Sequence, residues 1–143
     1  MSTILVIEDN AANLKLAALL LNHAGHTVIT AMDAESGVVT ARREVPDLVL
    51  MDVQLPGMDG YQATALLKAD PATAGIPVIV LTALAMKADE ERSHAAGCDA
   101  YITKPLRRAE LYAVTERLLK ASHAGDPVQG TTTASLDAEG RPD

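Results

Sequence analysis

Five short apolar runs alternate along the chain with segments whose apolar residues recur at helical spacing. The run at 48–51 (Leu-Val-Leu-Met) has no polar position, which is typical of a strand buried on both faces of a parallel sheet. The other runs cover 3–7, 27–31, 78–81 and 100–103. Because each run is followed by a helical pattern, the sequence predicts an α/β domain with a parallel sheet and right-handed crossovers.

The predicted helices begin and end at residues with known capping preferences. Gly25 and Gly97 follow helical segments at the position where a left-handed residue ends a helix, and Asp33 precedes another as an N-cap. The predicted helices run from 11 to Gly25, from Asp33 through 44, over 61–69 and 86–96, and from after Pro105 to about 120. In the third helix Leu66 and Leu67 are expected to face inward, and the charged residues at 87–92 are interpreted as a solvated face.

Composition divides the chain into a domain at 1–121 and a flexible tail at 122–143, where large apolar residues almost disappear. With three Tyr, no Phe and no Trp, the chain lacks the aromatic residues that single-stranded nucleic-acid binding needs. The net charge of −7 argues against binding to DNA or to anionic membranes. A single cysteine, Cys98, excludes an internal disulfide framework and is interpreted as a small buried residue.

The N-terminus lacks the basic region and apolar core of a signal peptide, and the longest apolar run, 16–21, is too short to span a bilayer. We therefore expect a cytoplasmic protein. Met1 directly before the first strand favours a free protein over a fragment of a larger one.

Reactive side chains follow four of the five predicted strands. Glu8 and Asp9 follow the first, and Asp52, Thr82 and Lys104 follow the third, fourth and fifth. Open α/β sheets bind ligands at the carboxyl ends of their strands. Converging carboxylates repel one another unless a cation neutralises them, and oxygen ligands without His or Cys favour magnesium. A lysine and a hydroxyl opposite can hold an oxyanion, so the set predicts a phosphoryl-transfer site with a carboxylate nucleophile.

These residues stand in motifs that resemble those of two-component response-regulator receiver domains of the single-domain type. The similarity covers about 3–121 and is carried by Glu8-Asp9-Asn10, Leu50-Met51-Asp52, Leu81-Thr82-Ala83 and Tyr101-Ile102-Thr103-Lys104-Pro105. The resemblance implies a flavodoxin-like (βα)5 fold, with a doubly wound parallel sheet of five strands in the order 2-1-3-4-5.

The resemblance also implies a phosphoacceptor and a metal site. Asp52 would accept a phosphoryl group from a kinase phosphohistidine. Asp9 and Asp52 would bind Mg²⁺ directly, Glu8 would act through a water, and the backbone carbonyl of Gln54 would complete the protein ligands.

It further implies a phosphate-binding and switching set. Lys104 would pair with a phosphoryl oxygen, and Thr82 and Ala83 would lie against the phosphate. Tyr101 would swing inward behind Thr82, and the peptide bond before Pro105 would be cis. Phosphorylation would then bias a two-state equilibrium.

A protein of this kind is a signalling switch that catalyses only its own Mg²⁺-dependent phosphorylation and dephosphorylation, and is not otherwise an enzyme. The implied partners are a histidine kinase or histidine phosphotransfer protein, docking near Asn13, Leu14 and Pro105. A downstream protein target would bind the face formed by the fourth helix, fifth strand and fifth helix. We expect a monomer or a weak dimer, with no nucleic-acid or membrane partner.

Four alternatives remain at this level: a receiver module excised from a hybrid histidine kinase, a phosphorylation-independent scaffold, a flavodoxin-like cofactor binder and an aspartyl phosphatase. A flavin site needs a Gly-rich phosphate loop after the first strand, where this chain has Glu8-Asp9-Asn10. An aspartyl phosphatase would place a second Asp two residues after the nucleophile, where this chain has Gln54.

Overall fold

The computed structural model describes the backbone of residues 2–83 and 87–124, and the side chains of those residues except 87–90, 123 and 124. Within these ranges five strands alternate with five helices. In chain order they are β1 (Thr3–Ile7), α1 (Ala11–His23), β2 (Thr27–Ala31), α2 (Ala34–Glu44), β3 (Leu48–Asp52), α3 (Gly60–Ala69), β4 (Val78–Thr82), α4 (Lys87–Ala96), β5 (Ala100–Thr103) and α5 (Arg108–Ala124).

The strands form one parallel sheet in the order β2-β1-β3-β4-β5, which confirms the predicted order. Every residue of β3 and β4 is buried, whereas the edge strands β2 and β5 are partly exposed. The uninterrupted apolar run at 48–51 therefore marks a strand at the centre of the sheet.

The chain adds β2 on one side of β1 and then adds β3, β4 and β5 on the other side. This change in the direction of strand addition places helices on both faces of the sheet. With right-handed crossovers, the step from β1 to β2 puts α1 on one face, and the later steps put α2, α3 and α4 on the other. The first face buries Ile4, Val6, Leu48, Leu50, Ile79, Leu81 and Ile102 under Ala17, Leu21, Leu111 and Leu119 of α1 and α5. The second buries Leu5, Ile7, Val49, Met51, Val78 and Val80 under Ala34, Val38, Ala41, Tyr61, Ala63 and Leu67 of α2 and α3.

The helix ends follow the predicted capping chemistry. Asp33 caps α2 by accepting a hydrogen bond from the Ser36 amide at 2.7 Å. Gly25 and Gly97 have φ values of +98° and +90°, as residues in the left-handed region after a helix do. Val45 also has a positive φ, of 45°, directly before Pro46. A residue before proline is disfavoured in the helical region, so α2 ends there without a glycine.

Three details differ from the prediction or extend it. Leu67 is buried, but Leu66 is 41% exposed, because α3 turns its Tyr61, Thr64 and Leu67 stripe to the core and leaves Leu66 beside that stripe. The last helix continues past the predicted boundary at 121 to Ala124, since alanine favours the helix there. Residue 86 and the remainder of the predicted tail, 125–143, lie outside the described residues.

Candidate functional site

The carboxyl ends of the central strands bring the predicted carboxylates together. Glu8 and Asp9 directly follow β1, and Asp52 is the last residue of the adjacent strand β3. One oxygen from each of Glu8, Asp9 and Asp52 lies within 4.8 Å of the others. The direction of strand addition changes between the neighbouring strands β1 and β3. These residues therefore surround the crevice where such folds bind ligands.

The Asp52 carboxylate is held by a different donor on each oxygen. Its Oδ2 accepts a hydrogen bond from Lys104 Nζ at 2.8 Å, and its Oδ1 accepts one from the backbone amide of Gln54 at 3.0 Å. The residue is 3% exposed. These two donors fix the orientation of the carboxylate at the floor of the crevice.

Lys104 joins the acidic cluster from β5. Its Nζ lies 2.8 Å from Asp52 Oδ2 and 3.8 Å from Glu8 Oε1. Burial disfavours the charged ammonium, but the hydrogen bond and charge of Asp52, together with Glu8 and Asp9, outweigh it and raise the pKa of Lys104. The lysine therefore remains a cation that can pair with an anion at the crevice.

Glu8 is the most unusual carboxyl group in this cluster. It is 1% exposed, and burial, with the nearby Asp52, raises its pKa to about 7, although the Asn10 amide and Lys104 act the other way. Its Oε2 accepts a hydrogen bond from the Asn10 amide at 3.1 Å, whereas Oε1 has no hydrogen-bond partner among the residues that the structure describes. A buried carboxylate oxygen without a donor, beside two further carboxylates, fits a hard cation that binds through oxygen.

The other predicted residues lie around this cluster. Thr82 is buried at the end of β4, one residue after Leu81, which pairs with Asp52 of β3, and Ala83 follows it at the surface. Tyr101 lies half-buried on β5 and packs against the core beneath α2 and α3. The Lys104–Pro105 peptide bond is cis.

Gly60 is a site residue that the sequence interpretation missed. It begins α3, and its amide donates to the Val53 carbonyl at 2.9 Å. A Cβ atom at this position would lie 2.5 Å from the Asp52 carbonyl oxygen and 2.9 Å from Val53 Cα. Only glycine allows the helix to approach the strand end that carries Asp52 so closely. The sequence clue is the pair Asp59-Gly60 directly before the third helical pattern.

Arg92 is a second residue that the sequence interpretation passed over, because it lies in the face predicted to be solvated. Its guanidinium stands 4.6 Å from the centroid of the Tyr61 ring, and its Nη2 lies 3.3 Å from Asp59 Oδ2. Asp59 caps α3 in a capping box with Gln62. Arg92 therefore ties α4 to the beginning of α3, next to the glycine that contacts Asp52.

Comparison with known proteins now defines the class. The family model of the response regulator receiver domain matches residues 4–116, so the chain belongs to the response regulator receiver family. It is a receiver domain of two-component signalling, and the members of this family function by being phosphorylated on an aspartate. This excludes the flavin-binding and phosphatase alternatives.

Its curated relatives include the polar-differentiation response regulators DivK of Brucella anthropi and Brucella melitensis. Each is 43% identical over 104 residues, which is 73% of this chain and 85% of the relative. The chain is therefore a receiver domain similar to DivK, and it belongs to a class of signalling switches.

Solved structures of other receiver domains share the fold. The receiver domain of a sensor histidine kinase from Pseudomonas aeruginosa, solved with a magnesium ion coordinated in its active-site cleft, is 36% identical. The match has a TM-score of 0.78 and covers 83% of this chain and 98% of the other. A chemotaxis response regulator of Vibrio cholerae, at 22% identity and a TM-score of 0.78, shares the fold over 82% of this chain and 98% of its own. Receiver domains bind Mg²⁺ at an acidic site, and this chain has the matching cluster.

Receiver domains interact with histidine kinases or phosphotransfer proteins and with downstream targets. In the described part of the chain, none of the helices has the length and apolar character needed to cross a membrane.

Proposed function

We propose that Asp52 accepts the phosphoryl group of a histidine kinase or histidine phosphotransfer protein, and that the phosphorylated domain then signals by binding another protein. The observation that carries this proposal is the Asp52 carboxylate, oriented by Lys104 and the Gln54 amide and placed beside Glu8 and Asp9. A carboxylate oxygen would attack phosphorus, and the P–N bond would break with its electron pair staying on nitrogen. The histidine would leave as neutral imidazole, because its other ring nitrogen carries a proton.

The same residues support a Mg²⁺ site. Asp9, Asp52 and the Gln54 carbonyl would bind the ion directly, and Glu8 would hold it through a water. The ion would supply positive charge to the phosphoryl oxygens. Three carboxyl groups within 4.8 Å, one with an unpartnered buried oxygen, support this assignment. Mg²⁺-dependent phosphorylation and dephosphorylation of Asp52 would be the only reactions that the domain catalyses.

The switch would begin with Lys104. Its ammonium group would exchange the hydrogen bond to the Asp52 carboxylate for a hydrogen bond to a phosphoryl oxygen. The Thr82 hydroxyl and the backbone at Ala83, at the adjoining end of β4, would bind the other side of the phosphate. Tyr101 would then turn inward behind Thr82. These movements would report phosphorylation to the face of α4, β5 and α5, where the downstream target would bind.

A kinase or phosphotransfer partner would dock beside the crevice, near Asn13, Leu14 and Pro105. A cleft of about 210 Å³ lies there, and its lining includes Asn13, Leu16, Lys104, Pro105 and Leu106. Leu16 is 41% exposed on α1, so an apolar contact surface adjoins the acidic site. We infer that the domain works in the cytoplasm, as a monomer or a weak dimer.

Incubation with acetyl phosphate and Mg²⁺, followed by intact-mass measurement, tests the central claim. Wild type should gain one phosphoryl group, and Asp52→Asn should gain none. Asp99→Asn is the matched control, since Asp99 lies at the opposite end of the sheet, where it accepts a hydrogen bond from the Val78 amide. The absence of an adduct, or an adduct that persists in Asp52→Asn, would contradict the proposal.

Two alternatives concern the setting of the domain. The receiver domains of histidine kinases from Pseudomonas aeruginosa and Syntrophus aciditrophicus are 36% and 31% identical to the chain, which keeps a kinase-attached module open. DivK, at 43%, favours a free regulator. If the domain were a phosphorylation-independent scaffold, the wild type and Asp52→Asn would bind the kinase equally well. A pull-down with phosphorylated and unphosphorylated protein distinguishes such a scaffold from a phosphorylation-dependent regulator.

A further inference from the structure

A second cavity lies between α1 and α5, at the end of the sheet opposite the acidic crevice. It has a volume of about 730 Å³, within the range of small-molecule sites. Its lining comprises Leu21, Ala24, His26, Tyr112, Ala113, Thr115, Glu116, Arg117 and Lys120. The end of α1 and the residue before β2 belong to the amino ends of the strands, so this cavity shares no residue with the proposed phosphorylation site.

Two polar atoms in the lining are buried and have no hydrogen-bond partner within the described part of the chain: Thr115 Oγ1 and His26 Nδ1. Thr115 is 1% exposed and stands between Leu111 and Leu119 on the buried stripe of α5. An unpaired buried hydroxyl destabilises a fold, and an apolar residue would pack in this stripe without that cost. A ligand with a hydrogen-bonding group would give such an atom the partner that it lacks.

The remainder of the lining has one apolar wall and a positive rim. Leu21, Ala24 and Ala113 supply apolar surface, and the Tyr112 ring is held in place because its hydroxyl donates to the Leu20 carbonyl at 2.9 Å. Arg117 and Lys120 outnumber Glu116 at the exposed rim, although the whole chain carries a net charge of −7. This local excess of positive charge favours an anion over a cation.

We propose that the α1–α5 cavity is a binding site for a small amphipathic anion. Its apolar body would lie along Leu21 and Tyr112, and a polar group would reach Thr115 and His26. Its charged group would lie at Arg117 and Lys120. The site is independent of the chemistry at Asp52.

Anilinonaphthalene sulfonate is a suitable probe, because it combines apolar rings with an anionic group and fluoresces in an apolar site. Titration of the full chain should give saturable fluorescence with one probe per molecule. Ala113→Leu would place a larger side chain in the cavity and should weaken binding by roughly tenfold or more. Ala109→Leu, one turn away on α5 and outside the cavity lining, should leave binding unchanged. Arg117→Gln should weaken binding about threefold and reduce its dependence on salt.

Amide chemical shifts supply a second measurement that locates the probe. They should move at the cavity residues and remain constant around Asp52. Thr115→Val should preserve or increase the stability of the free protein, because the Thr115 hydroxyl has no partner in the described ranges 2–83 and 87–124. Binding that survives Ala113→Leu, a lack of saturation, or shifts confined to the exposed apolar residues Leu16 and Leu19 of α1 would overturn the proposal. Displacement of the probe only by a protein partner would overturn the small-ligand assignment.

Discussion

Replacement of Glu8 by glutamine should stabilise the Mg²⁺-free protein at pH 8, although Glu8 belongs to the proposed metal site. Burial and Asp52 raise the pKa of this carboxyl from 4.5 to about 7 in the folded state. Each pKa unit corresponds to about 1.4 kcal/mol, so ionising Glu8 destabilises the folded state by up to about 3 kcal/mol. Glutamine has the same shape, carries no charge, and can donate to Asp52.

The sign of the pH dependence follows from the raised pKa. Below pH 4.5 the carboxyl is protonated in both states and the folded protein carries no penalty. The folded state loses stability as the pH rises from 4.5 to about 7, because over this range the unfolded state has released the proton and the folded state still holds it. Above about 7 both states are ionised and the loss is constant. The advantage of Glu8→Gln over wild type should therefore be small at pH 5 and approach its maximum at pH 8. A bound Mg²⁺ should restore stability to wild type and much less to the variant.

Urea unfolding at pH 5 and pH 8, each in EDTA and in excess Mg²⁺, measures these differences. Glu91→Gln, which changes an exposed carboxylate on α4, is the matched control and should shift stability by less than about 0.5 kcal/mol at either pH. If Glu8→Gln were no more stable than wild type at pH 8 in EDTA, or differed from it equally at both pH values, the argument from burial would be refuted.

Three further substitutions test contacts outside the carboxylate cluster. Gly60→Ala should destabilise the protein by about 1–3 kcal/mol despite the better helix propensity of alanine, because its Cβ would lie 2.5 Å from the Asp52 carbonyl. It should also slow phosphorylation by acetyl phosphate. Arg92→Ala should cost about 1 kcal/mol in urea unfolding, since the Arg92 side chain that contacts the Tyr61 ring and Asp59 is itself mostly exposed. Lys68→Met should cost about 2 kcal/mol, because the ammonium donates to two backbone carbonyls and one carboxylate from a mostly buried position.

Each of these substitutions has a control of the same residue type. Gly75→Ala adds a Cβ that meets nothing within 4 Å and should be tolerated. Arg107→Ala and Lys15→Met remove exposed charges and should have little effect. A loss of stability in the controls equal to that in the test variants would show that the named contacts are not responsible. A normal phosphorylation rate in Gly60→Ala would separate the close approach of α3 from the function of Asp52.

Local sequence determined most of the secondary structure of this protein. Periodicity and capping residues act within a few positions, so Asp33, Gly25 and Gly97 marked helix boundaries correctly. The carboxyl ends of parallel strands share one edge, so strand ends alone were enough to bring Asp52 and Lys104 together. The strand order came from resemblance to the receiver family, because strand pairing depends on contacts between distant segments.

Only the tertiary structure decided how these residues behave. The raised pKa of Glu8 depends on burial beside Asp52, 44 positions away, and the need for glycine at 60 depends on its approach to β3. The pairing of Arg92 with α3, within a face that looked solvated, and the cavity around Thr115 likewise arise between elements. Propensity and periodicity describe single segments, whereas desolvation, close packing and cavities are properties of segments brought together by the fold.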